Sequence, residues 1–247
     1  MLKTDRRDGV LWLNLARPDR GNALAPELVE QLLDAVNAAA DDRAIHTLCL
    51  QGQGPHFCTG LDLSDLADCR DGDMLHRLVR IETLLAALWH APFRTVAVAH
   101  GRTWGAGADL LAACEVRLAR PDASFRFPGA RFGIVLGTRR LAQHVGAERA
   151  RAVTTEGLQW GARDAVATGL LHHLLPDDVA AAPACLAQAC ASPVVDAATA
   201  AALRAATRAD RRDEDLATLV RSAAVPGLVE RMKRYRAALS EARPRPA

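Results

Sequence analysis

Small residues gather at two places in this chain, Gly60 and the run Gly105-Ala106-Gly107. With no side chains in the way, backbone N–H groups there can approach a single oxygen atom closely, which is what stabilising an oxyanion requires. The second run opens a helix, and a helix N-terminus adds its own preference for negative charge. Asp109 falls in the first turn of that helix. It either moves a proton, as acid or base, or complements the helix dipole, an arrangement worth about 0.3–1 kcal/mol. Taken alone, the Gly-Ala-Gly run is equally compatible with tight packing of a helix on a sheet. It is not a dinucleotide fingerprint, because position 110 is Leu rather than Gly or Ala and the turn lies mid-chain.

Other chemistries find less support. The six cysteines, Cys49, Cys58, Cys69, Cys114, Cys185 and Cys190, form no CxxC pair and have no histidine at metal-ligand spacing, so no metal site is expected. Reduced core thiols are expected instead, Cys58 included although it borders a motif. His90 at a helix end, His100 before a glycine and Glu156 at an expected helix start have no evident partner and read as structural or surface residues. Net charge is +2, and the basic residues, of which only Lys3 and Lys233 are lysines, are scattered rather than blocked. Nucleic acid is therefore not an expected partner. The N-terminal residues lack a signal-peptide pattern, and no run of about 18 apolar residues is free of charge, so a soluble chain with no membrane partner is expected.

The elements that must position these residues follow from periodicity. Strands are predicted over residues 10–15, 47–50, 94–99, 116–119 and 124–127. Helices are predicted over 26–40, with Leu28, Leu32 and Val36 on one face, over 74–89, and over 105–114. Pro26 suits a first helical turn, and Pro92 enforces a stop after the second helix. Strand and helix alternate, as in an α/β core with largely parallel strands. From Val179 the chain turns helical. Its last clear helix, over 227–239, places Leu228, Met232 and Tyr235 on one side, and the Pro244 to Pro246 tail is expected to fray.

Three motifs stand in order: Arg17-Pro18-Asp19-Arg20-Gly21-Asn22-Ala23-Leu24, then Phe57-Cys58-Thr59-Gly60-Leu61-Asp62-Leu63, then His100-Gly101 with Gly105-Ala106-Gly107-Ala108-Asp109-Leu110-Leu111. Together they resemble the crotonase (enoyl-CoA hydratase/isomerase) superfamily, whose usual forms are RPxxxNAL, FxAGxDL and NGxxxGGGxEL. Ala123 to Pro128 is similar to the family's AxFxxPE segment, and Gly169-Leu170-Leu171 to its GLV. The resemblance covers residues 8–176, while the helical remainder matches only in length and character.

The resemblance implies an α/β fold of the ClpP/crotonase type, a spiral of ββα units over 1–180 followed by an all-helical oligomerisation segment over 181–247. It implies a homotrimer or dimer of trimers, and a cytoplasmic lyase or isomerase of fatty acid metabolism. The substrate would be an acyl-CoA thioester, with coenzyme A entering as part of it and no tightly bound cofactor. By position, the oxyanion donors fall on the amides of Leu61 and Ala106. Ala106 replaces a common glycine, and a helical residue with negative φ keeps the donor. Coenzyme A would run along Arg20, Ala23 and Leu24 and along Phe57, Thr59, Gly60, Leu61 and Asp62. Arg20 either meets a phosphate or stays a solvated loop arginine. Asp62 either borders the ligand or caps a helix starting near Ser64 or Asp65. Lys233 lies near a family position whose lysine can reach coenzyme A.

Two departures stand out. Hydratases of the superfamily hold water between two glutamates, but this chain has Asp109 at the first position and Gly129 at the second. General acid–base catalysis needs a titrating group within reach, and glycine offers none, so hydration through a carboxylate pair is not expected. One carboxyl group suffices for double-bond isomerisation, or for protonating an enolate after decarboxylation. The alternative is a catalytically degenerate subunit that binds acyl-CoA, or only a partner subunit, without turnover. The loop after Gly133-Ile134-Val135-Leu136-Gly137 is also short, with Thr138-Arg139-Arg140-Leu141 following at once. Arg126 and Arg131 flank the emptied glutamate position, and each either grips an anionic acyl group or is structural.

Overall fold

The structure, a computed structural model, describes residues 1–178 and 181–241; Val179 and the Pro244 to Pro246 tail lie outside them. In chain order the elements are β1 (Leu2–Arg7), β2 (Val10–Leu15), α1 (Pro26–Asp41), β3 (Thr47–Gly52), α2 (Asp71–Trp89), β4 (Arg94–Ala99), β5 (Arg102–Trp104), α3 (Ala106–Ala112), β6 (Val116–Ala119) and β7 (Ser124–Arg126). Then come α4 (Thr138–Val145), α5 (Ala147–Thr155), β8 (Gln159–Gly161), α6 (Ala162–Ala167), β9 (His173–Leu174), α7 (Ala181–Cys190), α8 (Ala197–Thr207), α9 (Arg212–Ala223) and α10 (Leu228–Glu241).

The larger sheet has the order β1-β2-β3-β4-β6-β9, with β1 antiparallel to β2 and every other pair parallel. The smaller sheet, β5-β7-β8, stands beside it. Strand, strand and helix recur as β1-β2-α1, β4-β5-α3 and β6-β7-α4, the turns of a crotonase-like spiral. The first four residues of β3, Thr47-Leu48-Cys49-Leu50, are buried without alternation, as expected of a parallel strand covered on both faces. Leu28, Leu32 and Val36 of α1 face the main core as their spacing requires.

Four strands escaped the periodicity, among them β9, which spans only 2 residues. β1 is an edge strand of mostly exposed polar residues, so it carries no apolar alternation. Its one signal is Asp8-Gly9, the two-residue turn to β2, in which both residues have positive φ, 52° and 73°. β5 and β8 each span 3 residues, too short for a period to register. α2 begins at Asp71, not Met74, because its first turn is polar; Asp73 accepts a hydrogen bond from the Arg70 amide at 2.9 Å. Residues 64–68 form a turn, so no helix starts at Ser64 or Asp65. Glu156 ends α5 instead of starting a helix, since Gly157 takes the left-handed conformation, φ 67°, that terminates it.

Two of the helices after β9, α9 and α10, pack against the elements before it. Leu219 and Ala223 of α9 and Leu228 and Met232 of α10 pack with Leu66, Met74, Leu78 and Ile134 in a second apolar cluster. Asp71 at the start of α2 accepts from the amides of Gly227 and Val229, which fixes the entry to α10.

The loop between β2 and α1 is held by Asn22, wholly buried with φ 53°. Its Oδ1 accepts from the Arg17 amide at 2.8 Å, and its Nδ2 donates to the carbonyls of Gln53 at 2.8 Å and His56 at 2.7 Å. Alanine would leave those three half-buried groups without these partners and would disfavour the positive φ. We expect Asn22→Ala to cost about 2–3 kcal/mol of stability, read as a lower denaturant midpoint with an unchanged slope.

Candidate active site

Two backbone segments meet beside the N-terminus of α3. Cys58 bridges Thr103 in parallel, with the Trp104 amide donating to the Cys58 carbonyl at 3.0 Å. Leu24 bridges Leu61, with the Leu24 amide donating to the Gly60 carbonyl at 2.8 Å. The approach is too close for side chains. A Cβ on Gly60, φ 100°, would stand 2.8 Å from the Trp104 carbonyl and 3.5 Å from the Ala106 nitrogen. One on Gly107 would stand 2.3 Å from the Cys58 carbonyl. Gly105, φ 53°, turns the chain into α3 while its amide donates to the Arg126 carbonyl. The neighbouring amides of Asp62, Trp104, Ala108 and Asp109 all have backbone acceptors, whereas those of Leu61 and Ala106 donate to no group among the described residues.

Both of these amides belong to residues lining a largely apolar cavity of about 340 Å³, together with Thr59, Asp109 and Gly129, and Tyr235 of α10 closes it from the same chain. A larger cleft of about 610 Å³ lies elsewhere, beside Gln51, Arg120 and Pro183, and none of the predicted site residues lines it. The structure thus brings Leu61, Ala106 and Asp109 to one wall. The Asp109 side chain is buried and accepts no hydrogen bond among the described residues. It presses on Gly137, where a Cβ would fall 2.5 Å from its Oδ1. Burial, reinforced by the nearby Glu82 charge and only partly opposed by Arg140, pushes the Asp109 carboxyl well above the usual carboxylate range.

Glu82 and Arg140 were not predicted. Arg140 is wholly buried and grips Glu82 with both terminal nitrogens, at 2.6 and 3.1 Å. Its Nη2 also lies 3.5 Å from Asp215 on α9, which is bound at 2.6 Å by Arg139. The pair ties α2, α4 and α9 together behind Asp109. One signal was available: Glu82 sits on the apolar face of α2 with Leu78, Ile81 and Leu85, where a charge needs a buried partner.

The remaining candidates separate. Ala23, Leu24 and Phe57 bury their side chains in the core, leaving only backbone to meet a ligand. Arg20 is exposed, 3.8 Å from Asp19, and does not line the cavity. Asp62 accepts from the Ser64 amide and from Arg17 Nη1, each at 2.9 Å. Burial opposes its charge, but these donors hold its pKa below the ordinary value. It caps a turn and locks the Arg17 loop to the Gly60 loop. Arg126 lies over the Trp104 ring and Arg131 over the Tyr235 ring, and neither lines the cavity, so the structure gives them the structural role. Lys233 is half-buried on α10. His100 donates to the Gly54 carbonyl and His90 faces Asp210 at 3.6 Å, and burial lowers the pKa of both. Burial pushes the Cys58 thiol up to about 12, and all six cysteines are free. Among the described residues no cluster could hold a metal ion, and no helix is long and apolar enough to cross a membrane.

Comparison with known proteins defines the class. A profile described as enoyl-CoA hydratase/isomerase matches residues 5–225. An enoyl-CoA hydratase/isomerase structure from Bordetella parapertussis superposes with a TM-score of 0.91 at 40% identity, covering 98% of this chain and 99% of that one. An enoyl-CoA hydratase from Mycobacterium avium subsp. paratuberculosis superposes with a TM-score of 0.80 at 28% identity, covering 94% and 97%. A probable enoyl-CoA hydratase of Mycobacterium tuberculosis, echA6, is 36% identical over 177 residues, 70% of each chain. The chain belongs to the enoyl-CoA hydratase/isomerase family and has the crotonase fold. It is an acyl-CoA-processing enzyme of that family.

The Asp109 environment has a consequence for stability. Above the ordinary carboxylate range the unfolded chain ionises this residue while the native chain keeps its proton. The native state then binds more protons, and stability falls as pH rises toward the raised native pKa. Asparagine cannot ionise. We expect the stability of Asp109→Asn relative to the native chain to increase from about pH 4 to pH 8, measured by denaturant unfolding; a difference constant with pH would mean that Asp109 ionises normally.

Proposed function

We propose that the chain binds an acyl-CoA thioester with its carbonyl oxygen between the amides of Leu61 and Ala106, and that Asp109 exchanges a proton with the acyl carbons. The observation that carries this reading is the pair of unpartnered N–H groups on the wall of a mostly apolar cavity that also holds a carboxyl group. Donors fixed in advance stabilise an enolate oxygen without reorganising, and each is typically worth about 2.7–4 kcal/mol of barrier. Coenzyme A would run past Arg20, Ala23 and Leu24 and along the backbone from Phe57 to Asp62. With glycine at 129, double-bond isomerisation or protonation of an enolate fits the site better than hydration between two carboxylates.

A second reading, acyl-CoA binding without turnover, is favoured by that same glycine. The assembly we propose is a homotrimer or a dimer of trimers, built on a core over 1–180 and a helical segment over 181–247, acting in the cytoplasm. Sedimentation giving only a 26.4 kDa species at micromolar concentration would refute the assembly.

Calorimetry with a panel of short acyl-CoA thioesters, followed by mass spectrometry of the products, tests the reading. We expect binding, and a new product whose rate of formation falls at least about a hundredfold in Gly60→Ala, where the methyl would displace the donor wall. Binding with no product from any thioester would favour the second reading, and no affinity for coenzyme A would exclude both.

Gly129 has negative φ and room for a Cβ, whose nearest neighbour would be the Ile134 carbonyl at 3.4 Å. We expect Gly129→Glu to fold and to gain hydration of crotonyl-CoA that the native chain lacks, followed by the loss of the substrate's enoyl absorbance.

A further inference from the structure

The charges behind the cavity do not balance if every group is ionised. Three carboxyl groups, Asp109, Glu82 and Asp215, stand around two guanidinium groups, those of Arg139 and Arg140. Both cations are already engaged. Arg140 spends its two terminal nitrogens on Glu82 at 2.6 and 3.1 Å, and Arg139 binds Asp215 in a fork at 2.6–3.1 Å. Arg140 Nε is buried without an acceptor, and no donor among the described residues reaches the Asp109 carboxyl. We infer that Asp109 rests as a neutral carboxylic acid, because among the described residues Glu82 and Asp215 already engage the guanidinium groups that stand near it, and that the site is therefore set to give a proton before it takes one.

The inference rests on the acyl-CoA reading for its use, though not for its test. The groups facing Asp109 are Glu82 from α2, Arg140 from α4 and, around the cavity, Tyr235 from α10; His144 of α4 is turned away onto the Ala112 carbonyl. Glu82 opposes ionisation of Asp109 and Arg140 favours it, while burial adds to the effect of Glu82. Gly137 holds the carboxyl in place from the start of α4. Glu82 and Arg140 are thus positioning residues that act through Asp109, and Asp215 acts on it by way of Arg140.

A resting acid suits an enolate that forms without a base. When the carbon–carbon bond to a departing carboxylate breaks, its electron pair becomes the enolate and carbon dioxide leaves. The oxygen-bound charge would sit between Leu61 and Ala106. The Asp109 O–H then breaks as a new carbon–hydrogen bond forms, the carbonyl is restored, and Asp109 is left ionised until a solvent proton replaces the one given. Isomerisation needs the reverse first step, removal of a proton, for which a neutral acid must first lose its own.

Infrared difference spectra of the native chain against Asp109→Asn, taken across a pH series, test this directly. A protonated-carboxyl C=O band is expected at pH 7, absent from Asp109→Asn. Glu82→Gln keeps a hydrogen-bonding partner for Arg140 but removes one negative charge. It should lower the pH at which the band disappears by about one unit or more, tenfold or more in the ionisation constant. Asp215→Asn, nearer to solvent, should shift it the same way and keeps the test available if Glu82→Gln does not fold. No such band at pH 7, or a midpoint unmoved by these substitutions, would overturn the inference. Because no substrate is used, a chain that fails to bind acyl-CoA could still show the band, and a chain without the band could still turn over acyl-CoA with Asp109 as a base.

Discussion

The amides of Leu61 and Ala106 can point into one cavity because two loops touch backbone to backbone, with no side chain between them. That contact admits only glycine at 60 and 107, since a methyl at either would collide with a main-chain carbonyl that cannot rotate away. Much else in the molecule serves to hold it. Asn22 and Arg17 stitch the first loop to its neighbours, and the parallel bridge at Cys58 and Thr103 sets the register between the two segments. Gly105 then turns the chain so that α3 starts at the point of contact. The wall is therefore rigid before any ligand arrives, which is the condition under which fixed dipoles stabilise developing charge most effectively.

Behind this wall lies a different kind of constraint. A guanidinium as deeply buried as Arg140 is stable only with its partner in place, because removing one member of a buried pair leaves a charge that costs about 3–5 kcal/mol. The Glu82–Arg140 pair thus fixes α2 against α4, and Asp215 extends the hold to α9. Through α9 and α10 the C-terminal helices close the cavity of their own chain, with Tyr235 at its edge. The electrostatic setting of Asp109 and the closure of the pocket depend on one set of contacts.

Much of the fold was legible in the sequence because its parallel strands are buried runs and its first helices have clean apolar faces. The polar edge strand β1 and the three-residue strands β5 and β8 were not, for want of any period to detect. Of the candidate site, the glycines and Asp109 could be read from the chain because they stand in order with two other motifs; the Gly-Ala-Gly run alone would equally have meant tight packing of a helix on a sheet. Arg126 and Arg131 could not be placed, because whether an arginine meets a ligand or an aromatic ring depends on side-chain direction. Glu82 and Arg140 meet across 58 positions of sequence, and only the packing of α2 against α4 reveals that they are partners.

Among the described residues the cavity wall carries one carboxyl group, and at position 129, where the family resemblance implies a second, there is only a hydrogen atom. On the proposed reading, a planar enolate bound at Leu61 and Ala106 would present two faces, one turned toward α3 and one away from it. Among the described residues, the one carboxyl group that lines the cavity would stand on the first. The new centre would then be formed with a single handedness, and hydrogen drawn from heavy water would occupy one of two otherwise equivalent positions on the product carbon.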